Sequence, residues 1–408
     1  MNRYCFPDHS ATSQILSDLA FHLADNGERV CVIASRQLYD DPTAAMPPRD
    51  SVRGVEIYRV ATTRFGRHSL PGRVADYLSF YGSSALRLLR LAGRGDVVVA
   101  KTDPPMLSLL ISFLSALRGY RTINWLHDLY PEVAAELGMS SAKGLTGRIL
   151  IALRNASLRC ATMNVAIGDD MARRVRGMGV SAARLRVVMN WADDESIRPS
   201  EAESNPLRQS WSLEGKFVVA YSGNLGRAHD IETLLSAAEI LREHLEIVFL
   251  CIGGGRGLSD LAAEVERRAL KNFRFQPYQP RDGLDRSLGV ADIHWLSLKP
   301  GLDGLLLPSK FYGIAAAGRP ILIVGSENGE LAKLVARHEC GYCVPPGSGE
   351  EFARIVLTLS EDRALCRRLG ANARTMLDAN LTKSQSLARW RALLRTTAGH
   401  RQSNPSIN

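Results

Sequence analysis

Lys310 sits in "LLLPSKFYGIAAAGRP" (305–320), behind a Pro-Ser step and at the head of an alanine-rich helical stretch. A helix N-terminus carries partial positive charge and free backbone N–H groups, so a lysine there suits a bound anion. A solvated first-turn lysine fits these residues alone equally well. A second anion-ready turn, "YSGNLGRAHD" (221–230), follows a strand and opens a helix. Gly223 and Gly226 allow close approach to the backbone, and Arg227 and His229 stand at the helix start. Because this turn and the Lys310 turn lie at equivalent strand ends, a diphosphate cradle is favoured over an ordinary glycine turn. "CIGGGRGLSD" (251–260) spaces Gly253, Gly255 and Gly257 two and two, and no GK[ST] follows. It is therefore neither a dinucleotide fingerprint nor a Walker A loop. A close approach to a nucleotide or sugar and a tight strand-to-helix turn both remain open for it.

Three further stretches carry chemistry-bearing side chains. "NWLHDLYPEV" (124–133) ends a strand with His127 and Asp128, a pair that either contacts a sugar or is structural. "MNWADD" (189–194) ends another strand with Asn190 and Trp191, and "YCFPDHSAT" (4–12) leads Asp8, His9 and Ser10 into a helix. No GxSxG, HExxH, paired CxxC or DxD-like run occurs in an active-site turn. The acidic pairs Asp169-Asp170 and Asp193-Asp194 read as a helix cap and a linker, so no metal requirement is indicated.

These turns need strands and helices to hold them. Val/Ile-rich strands are expected at 29–34, 55–60, 96–101, 121–126, 161–167 and 184–190, with helices between several of them. One helix runs from Ser10 to Asn26, with Gly27 as its stop. The polar stretch 192–206 reads as a linker. The alternation resumes at 216–223, 246–253, 273–278, 291–298 and 319–325, and a helical tail carries Leu381, Leu387, Trp390 and Leu394. Repeated β-then-α units make parallel, doubly wound sheets. The expected class is therefore α/β: two Rossmann-like domains facing across a cleft, with ligands beyond the carboxyl ends of the strands.

The bulk numbers agree with two domains. A chain of 408 residues exceeds one ordinary core, and 45% hydrophobic with 23% charged residues is globular composition. The longest apolar run, Met106 to Leu117, spans 12 residues, against about 20 for a bilayer crossing. It is expected as a buried or surface-docked helix. No apolar signal region opens the sequence, so a cytoplasmic location is expected. Seven scattered cysteines suit reduced thiols, and the lone Cys340–Cys343 pair reads as a turn into a strand rather than a zinc site. Net charge is +9, and residues 55–159 hold 14 Lys/Arg against 7 Asp/Glu. That imbalance suits phosphate groups or an acidic membrane surface. Nucleic acid is disfavoured, because no recognition motif accompanies the arginines.

Taken together, "FPDHSAT", "NWLHDLYPEVA", "MNWAD", "YSGNLG" and above all "PSKFYGIAAAGRP" resemble the family-4 glycosyltransferases of GT-B fold. Within these, the chain looks like the branch of colanic acid, capsule and O-antigen synthesis. The resemblance implies an acceptor-side domain at 1–194, a nucleotide-sugar domain at 195–380, and a C-terminal helix at 381–408 crossing back to the first. It implies retaining transfer from a UDP- or GDP-linked sugar to a lipid-linked or oligosaccharide acceptor, at the inner membrane surface and without a cofactor. Lys310 and Arg227 would neutralise the departing diphosphate, with amides near Gly223 and at Gly304–Leu305, and His127 would contact the transferred sugar. The donor set would add Ser222, Asn224, Gly253, Gly254 and Ser309, with Pro277, Tyr278 and Gln279 taking the base. The acceptor set would be Asp8, His9, Ser10, Asp128 and Asn190.

The sequence departs from the family pattern twice. The glutamate that holds the ribose in many members falls on Gly313, or on Phe311 with another anchor; Glu330 is the candidate substitute. The short opening strand is reduced to Arg3–Phe6, which predicts a gap in a buried sheet and a start codon upstream. Alternative readings are a nucleotide-sugar epimerase of the same fold and a non-catalytic nucleotide-sugar-binding protein. A dehydrogenase is disfavoured by the absence of GxGxxG with a following acid.

Overall fold

In the computed structural model, which describes residues 1–41, 43–66, 69–139 and 144–399, the chain divides into two compact units. One comprises Met1–Met189 and the chain from Ser386 on; the other is Asn190–Gln385.

The first unit holds β1 (Val30–Ser35), β2 (Arg49–Val52), β3 (Val55–Val60), β4 (Val97–Ala100), β5 (Arg121–Leu126), β6 (Met163–Ala166) and β7 (Leu185–Val187). They form two ladders, β1-β3-β2 and β4-β5-β6-β7, parallel throughout except for β2 against β3. Side chains alternate between two cores. Val32 and Ala34 of β1 join Leu16, Ala20 and Phe21 of the helix Ala11–Asp25, while Ile33 joins Phe80, Leu88, Leu107 and Ile111 on the other face. Burial on both faces is what makes such strands read as near-continuous apolar runs. β2, "RDSV", has no such run and owes its place to antiparallel pairing with β3 at the sheet edge.

The expected gap beside β1 is filled. Met1–Arg3, rather than Arg3–Phe6, form the connecting rung: Asn2 N–H donates to the Ile33 carbonyl (3.3 Å), and Ser35 N–H to that of Arg3 (2.8 Å). On the other side Lys101 N–H donates to the Met1 carbonyl (3.1 Å) and Arg3 N–H to that of Asp103 (2.7 Å). Arg3 itself is buried and ion-paired with Asp76, which fixes the register of this short segment.

The apolar run forms the helix Leu107–Arg118, ended by Gly119 in the left-handed region (φ 73°). The helix Lys383–Thr397 places Trp390 on Trp125, ring centroids 4.3 Å apart, and the Thr397 carbonyl accepts from Arg121 (2.7 Å).

The second unit is one parallel sheet in the order β10-β9-β8-β11-β12-β13. Its strands are β8 (Phe217–Asn224), β9 (Ile247–Gly254), β10 (Phe273–Gln276), β11 (Ile293–Ser297), β12 (Ile321–Val324) and β13 (Gly341–Val344). Phe217, Val219 and Tyr221 face one core and Val218 and Ala220 the other. β13 lies just after Cys340, and all seven cysteines are free thiols. Asp292, at the start of β11, is buried between Arg208 and Arg363 (both 2.7 Å) and accepts the Val218 amide. The stretch 192–206, expected as a free linker, lacks a strand but buries Ile197, Ala202 and Asn205 in this unit. Its apolar residues are too sparse to show periodicity, yet Ile197 and Ala202 are buried.

Candidate functional site

On the second unit, the ends of β8 and β9 run side by side with Gly223 opposite Gly253 and Asn224 opposite Gly254. Paired glycines are required here. A Cβ on Gly253 would lie 2.4 Å from the Gly223 carbonyl oxygen, and one on Gly223 would lie 2.6 Å from Lys310 Cε. Gly223 also has φ +127°, a conformation open to glycine. The lysine stem therefore lies directly on the end of β8, with its Nζ 5.2 Å from the Tyr221 ring centroid. Lys310 begins the helix Lys310–Ala316, whose N-cap, Ser309, makes no side-chain cap bond. The side chain stays partly accessible, but the protein packed around it lowers its pKa to about 8 by desolvation. Among the described residues nothing hydrogen-bonds or ion-pairs with its ammonium, nor with the exposed Arg227 guanidinium.

The turn carrying Arg227 is stitched to the end of β11. Lys299 N–H donates to the Ala228 carbonyl (2.9 Å), and Asp230 N–H to Ser297 Oγ (3.1 Å). His229 Nδ1 is 2.7 Å from the Ser297 carbonyl and Nε2 3.3 Å from the Tyr221 hydroxyl. Burial, then the Lys310 charge, lower its pKa to about 3, so this imidazole is a neutral strut. The remaining donor-side candidates gather around the same strand ends. The Tyr278 ring lies against Gly254, where a Cβ would meet it at 2.9 Å, and Gln279 Nε2 donates to the Pro277 carbonyl (2.9 Å). Ser222 is half-buried one residue before Gly223. Gly304 and Glu330 line one pocket with Ser297, Asp303, Pro308 and Gly329. Leu305 is buried and its amide is spent on the Leu302 carbonyl (2.9 Å). At Gly313 a Cβ would meet the apolar Leu288 side chain (3.3 Å), and Phe311 is fully buried.

On the first unit, the ends of β4 and β5 hold a buried cluster. Lys101 is 2% exposed; its Nζ donates to the Thr12 carbonyl (2.8 Å) and lies 4.1 Å from the Trp125 ring centroid. Burial drives its pKa far down, against the pull of Asp103 and Asp128. His127 is buried with its ring centroid 5.1 Å from that of Trp125, and burial and Lys101 keep it neutral. Its Nε2 has no hydrogen-bond partner among the described residues. Asp128 lines a pocket with Lys101, Asn124, Tyr130 and Arg154. Burial first, then Asp103, raise its pKa to about 6, opposed by Lys101. Sequence reading missed Lys101, although a lysine ending a Val-Val-Val strand at its carboxyl end was a usable signal.

Asp8 and Asn190 have other surroundings than their motifs suggested. Asp8 Oδ1 accepts from both the amide and the hydroxyl of Ser10, and Oδ2 accepts the Tyr39 amide, so Asp8 and Ser10 staple their own loop. This also explains why Ser10 precedes the helix Ala11–Asp25 without capping it by its side chain. The His9 side chain is exposed. Asn190 is buried at the head of the second unit rather than in the first, and its Oδ1 has no hydrogen-bond partner among the described residues.

Residues 11–191 match the "Glycosyl transferase 4-like domain" family, and residues 204–376 match "Glycosyl transferases group 1". The chain belongs to the family-4 glycosyltransferases. Among curated relatives of this transferase, "Probable glycosyltransferase WbjE" of Pseudomonas aeruginosa is 28% identical over 315 residues, covering 76% of this chain and 77% of that protein. "Putative colanic acid biosynthesis glycosyl transferase WcaI" of Escherichia coli (strain K12) is 31% identical over 245 residues, 58% and 59% of the two chains. HepE of Anabaena, solved in complex with UDP-glucose, superposes with a TM-score of 0.72 at 16% identity, over 97% of this chain and 98% of that one. The transferase thus has the GT-B fold, two α/β domains with parallel sheets.

Proposed function

We propose that this enzyme transfers a sugar, with retention, from a UDP- or GDP-linked donor to a lipid-linked saccharide in bacterial surface-polysaccharide synthesis. The single observation that carries this reading is Lys310: a partnerless ammonium packed on Gly223 at the end of β8, beside the Arg227 turn. The likeness to WbjE and to WcaI, a putative colanic acid glycosyl transferase, and the UDP-glucose bound to HepE support the same reading.

In the proposed step the bond between the anomeric carbon and the diphosphate oxygen breaks, and the electron pair leaves with the diphosphate. Lys310 and Arg227 stabilise that charge as pre-placed cations, which removes the need for a divalent metal. The acceptor hydroxyl oxygen bonds to the anomeric carbon on the vacated face, and its proton passes to a donor phosphate oxygen. Neutral His127 offers its free Nε2 to a hydroxyl of the transferred sugar. Asp128 and Lys101 line the acceptor-side pocket on the first unit. Glu330, in the pocket with Gly304, takes the ribose hydroxyls that the residue at 313 cannot reach.

Ligand-observed NMR tests this with wild type and Lys310→Ala against UDP- and GDP-sugars in metal-free buffer. Binding of one nucleotide class that collapses in the variant is the expected result. Absence of binding to every nucleotide sugar by folded protein would sink the proposal, and hydrolysis of donor without acceptor would turn it toward an epimerase.

A further inference from the structure

His229 stands at the end of the donor-side turn but takes no part in the proposed transfer step. The hydrogen-bond chain around it has two protons for three acceptors. The Ser297 carbonyl, at the end of β11, can only accept, so the 2.7 Å contact places the ring proton of His229 on Nδ1. A neutral imidazole carries one such proton, and burial followed by the Lys310 charge keeps this ring neutral. Nε2 is therefore a bare acceptor, 3.3 Å from the Tyr221 hydroxyl. Tyr221 is fully buried, and its one hydroxyl proton has a second acceptor, the Asn224 carbonyl at 2.8 Å. The hydroxyl thus branches between His229 and the last residue of β8.

Each branch ends on a part of the donor side. On the hydroxyl branch, Asn224 follows Gly223, on which the Lys310 stem lies. The Tyr221 ring itself lies 5.2 Å from Lys310 Nζ and packs on Trp295 of β11, centroids 4.9 Å apart. On the imidazole branch, the turn leading from β8 to His229 carries Arg227. The amides of Gly226, Arg227 and Ala228 donate to nothing among the described residues. Successive free N–H groups seek an anion only while the turn that aims them keeps its shape. Within the turn, the His229 amide reaches the Gly226 carbonyl at a long 3.3 Å, so its shape depends on anchors at the end of β11. We infer that His229 is a positioning residue: through the Ser297 carbonyl and the Tyr221 hydroxyl it holds the Arg227 turn and the end of β8 in register for the diphosphate. The inference rests on the donor reading given above and adds to it a side chain that acts through Tyr221, Lys310 and Arg227.

Calorimetry with UDP and GDP on the full chain in metal-free buffer tests this, beside imidazole NMR. The long-range proton–nitrogen spectrum should show the His229 ring as the Nδ1–H tautomer, unchanged from about pH 5 to about pH 9, with its signals assigned by their loss in His229→Asn. For the nucleotide that wild type binds, His229→Ala should weaken affinity about tenfold, the scale of one lost buried hydrogen bond and its stranded partner. Tyr221→Phe keeps the ring beside Lys310 and drops only the hydroxyl. It should weaken affinity by a similar factor, and the double variant by much less than the product of the two. His229→Asn, whose side-chain amide can still donate to the Ser297 carbonyl, should recover part of the loss, whereas His229→Phe, which keeps only bulk, should not. Thermal melting read alongside shows that each variant is folded. Unaltered affinity in both His229→Ala and Tyr221→Phe overturns the inference. So do losses that multiply independently, equal binding by His229→Asn and His229→Phe, or an Nε2–H tautomer at His229. Wild type that binds neither nucleotide removes the donor reading and this inference together.

Discussion

At the scale of single residues, Lys310 and Gly223 act as one device. The lysine stem occupies the space a side chain at 223 would fill, so Gly223→Ala is expected to displace it. Nucleotide affinity should fall by about tenfold or more with the circular dichroism spectrum intact, as titration calorimetry would show. Lys310→Ala should lower kcat/KM by a factor on the order of 10²–10³, the cost of one pre-placed electrostatic group. Its pKa near 8 sets a pH signature. On the proposed reading a diphosphate binds the protonated form, so affinity should be level below pH 8 and fall by up to about tenfold per unit above it. Lys310→Arg should flatten that fall. A wild-type profile level to pH 9.5 would count against the assignment.

At the scale of elements, two contacts hold the scaffold that positions the site. Trp390 on the helix Lys383–Thr397 is fully buried against Trp125, the residue over which Lys101 lies and against which His127 packs. Trp390→Ala should therefore cost about 3–5 kcal/mol by urea denaturation, and should perturb acceptor use more than nucleotide binding. In the second unit, Asp292 anchors the start of β11 through Arg208, which is 3% exposed. Arg208→Ala removes the buried partner of this carboxylate, leaving it the more exposed Arg363 and the Val218 amide, and should cost on the order of 3 kcal/mol. Arg363→Ala should cost less, because its side chain is 36% accessible to water.

For the whole molecule, the proposed chemistry runs on fixed cations, so activity in EDTA is expected to match activity with added magnesium. A loss on chelation, restored by magnesium, would show that Lys310 and Arg227 do not suffice for the leaving group. The charge asymmetry carries a second consequence at this scale. With 14 basic against 7 acidic residues between 55 and 159, the first unit supplies most of the net positive charge. The second unit and tail, from residue 201 on, are nearly balanced at 26 against 23. Salt should therefore weaken any attachment to an anionic surface more than it weakens donor binding.

The sequence by itself determined the alternation of strands and helices, because parallel strands buried on both faces must be continuously apolar, as "FVVAYSG" and "IVFLCIGG" are. It marked the Gly223 and Lys310 turns as well, since glycines where two strand ends approach closely are a local necessity. Tertiary structure decided what depends on distant neighbours. "RDSV" became a strand only by pairing with β3, and "GYCV" by pairing with β12. Met1–Arg3 became a rung through partners near positions 33 and 101. Asp8 turned into a loop staple because the Tyr39 amide reaches it, and Lys101 entered the buried cluster at the ends of β4 and β5 because Thr12 and Trp125 close over it. Local pattern encodes which way a side chain faces, whereas which partner meets it there depends on other segments, from the adjoining strand β3 for β2 to positions 101 and 103 for Met1 and Arg3.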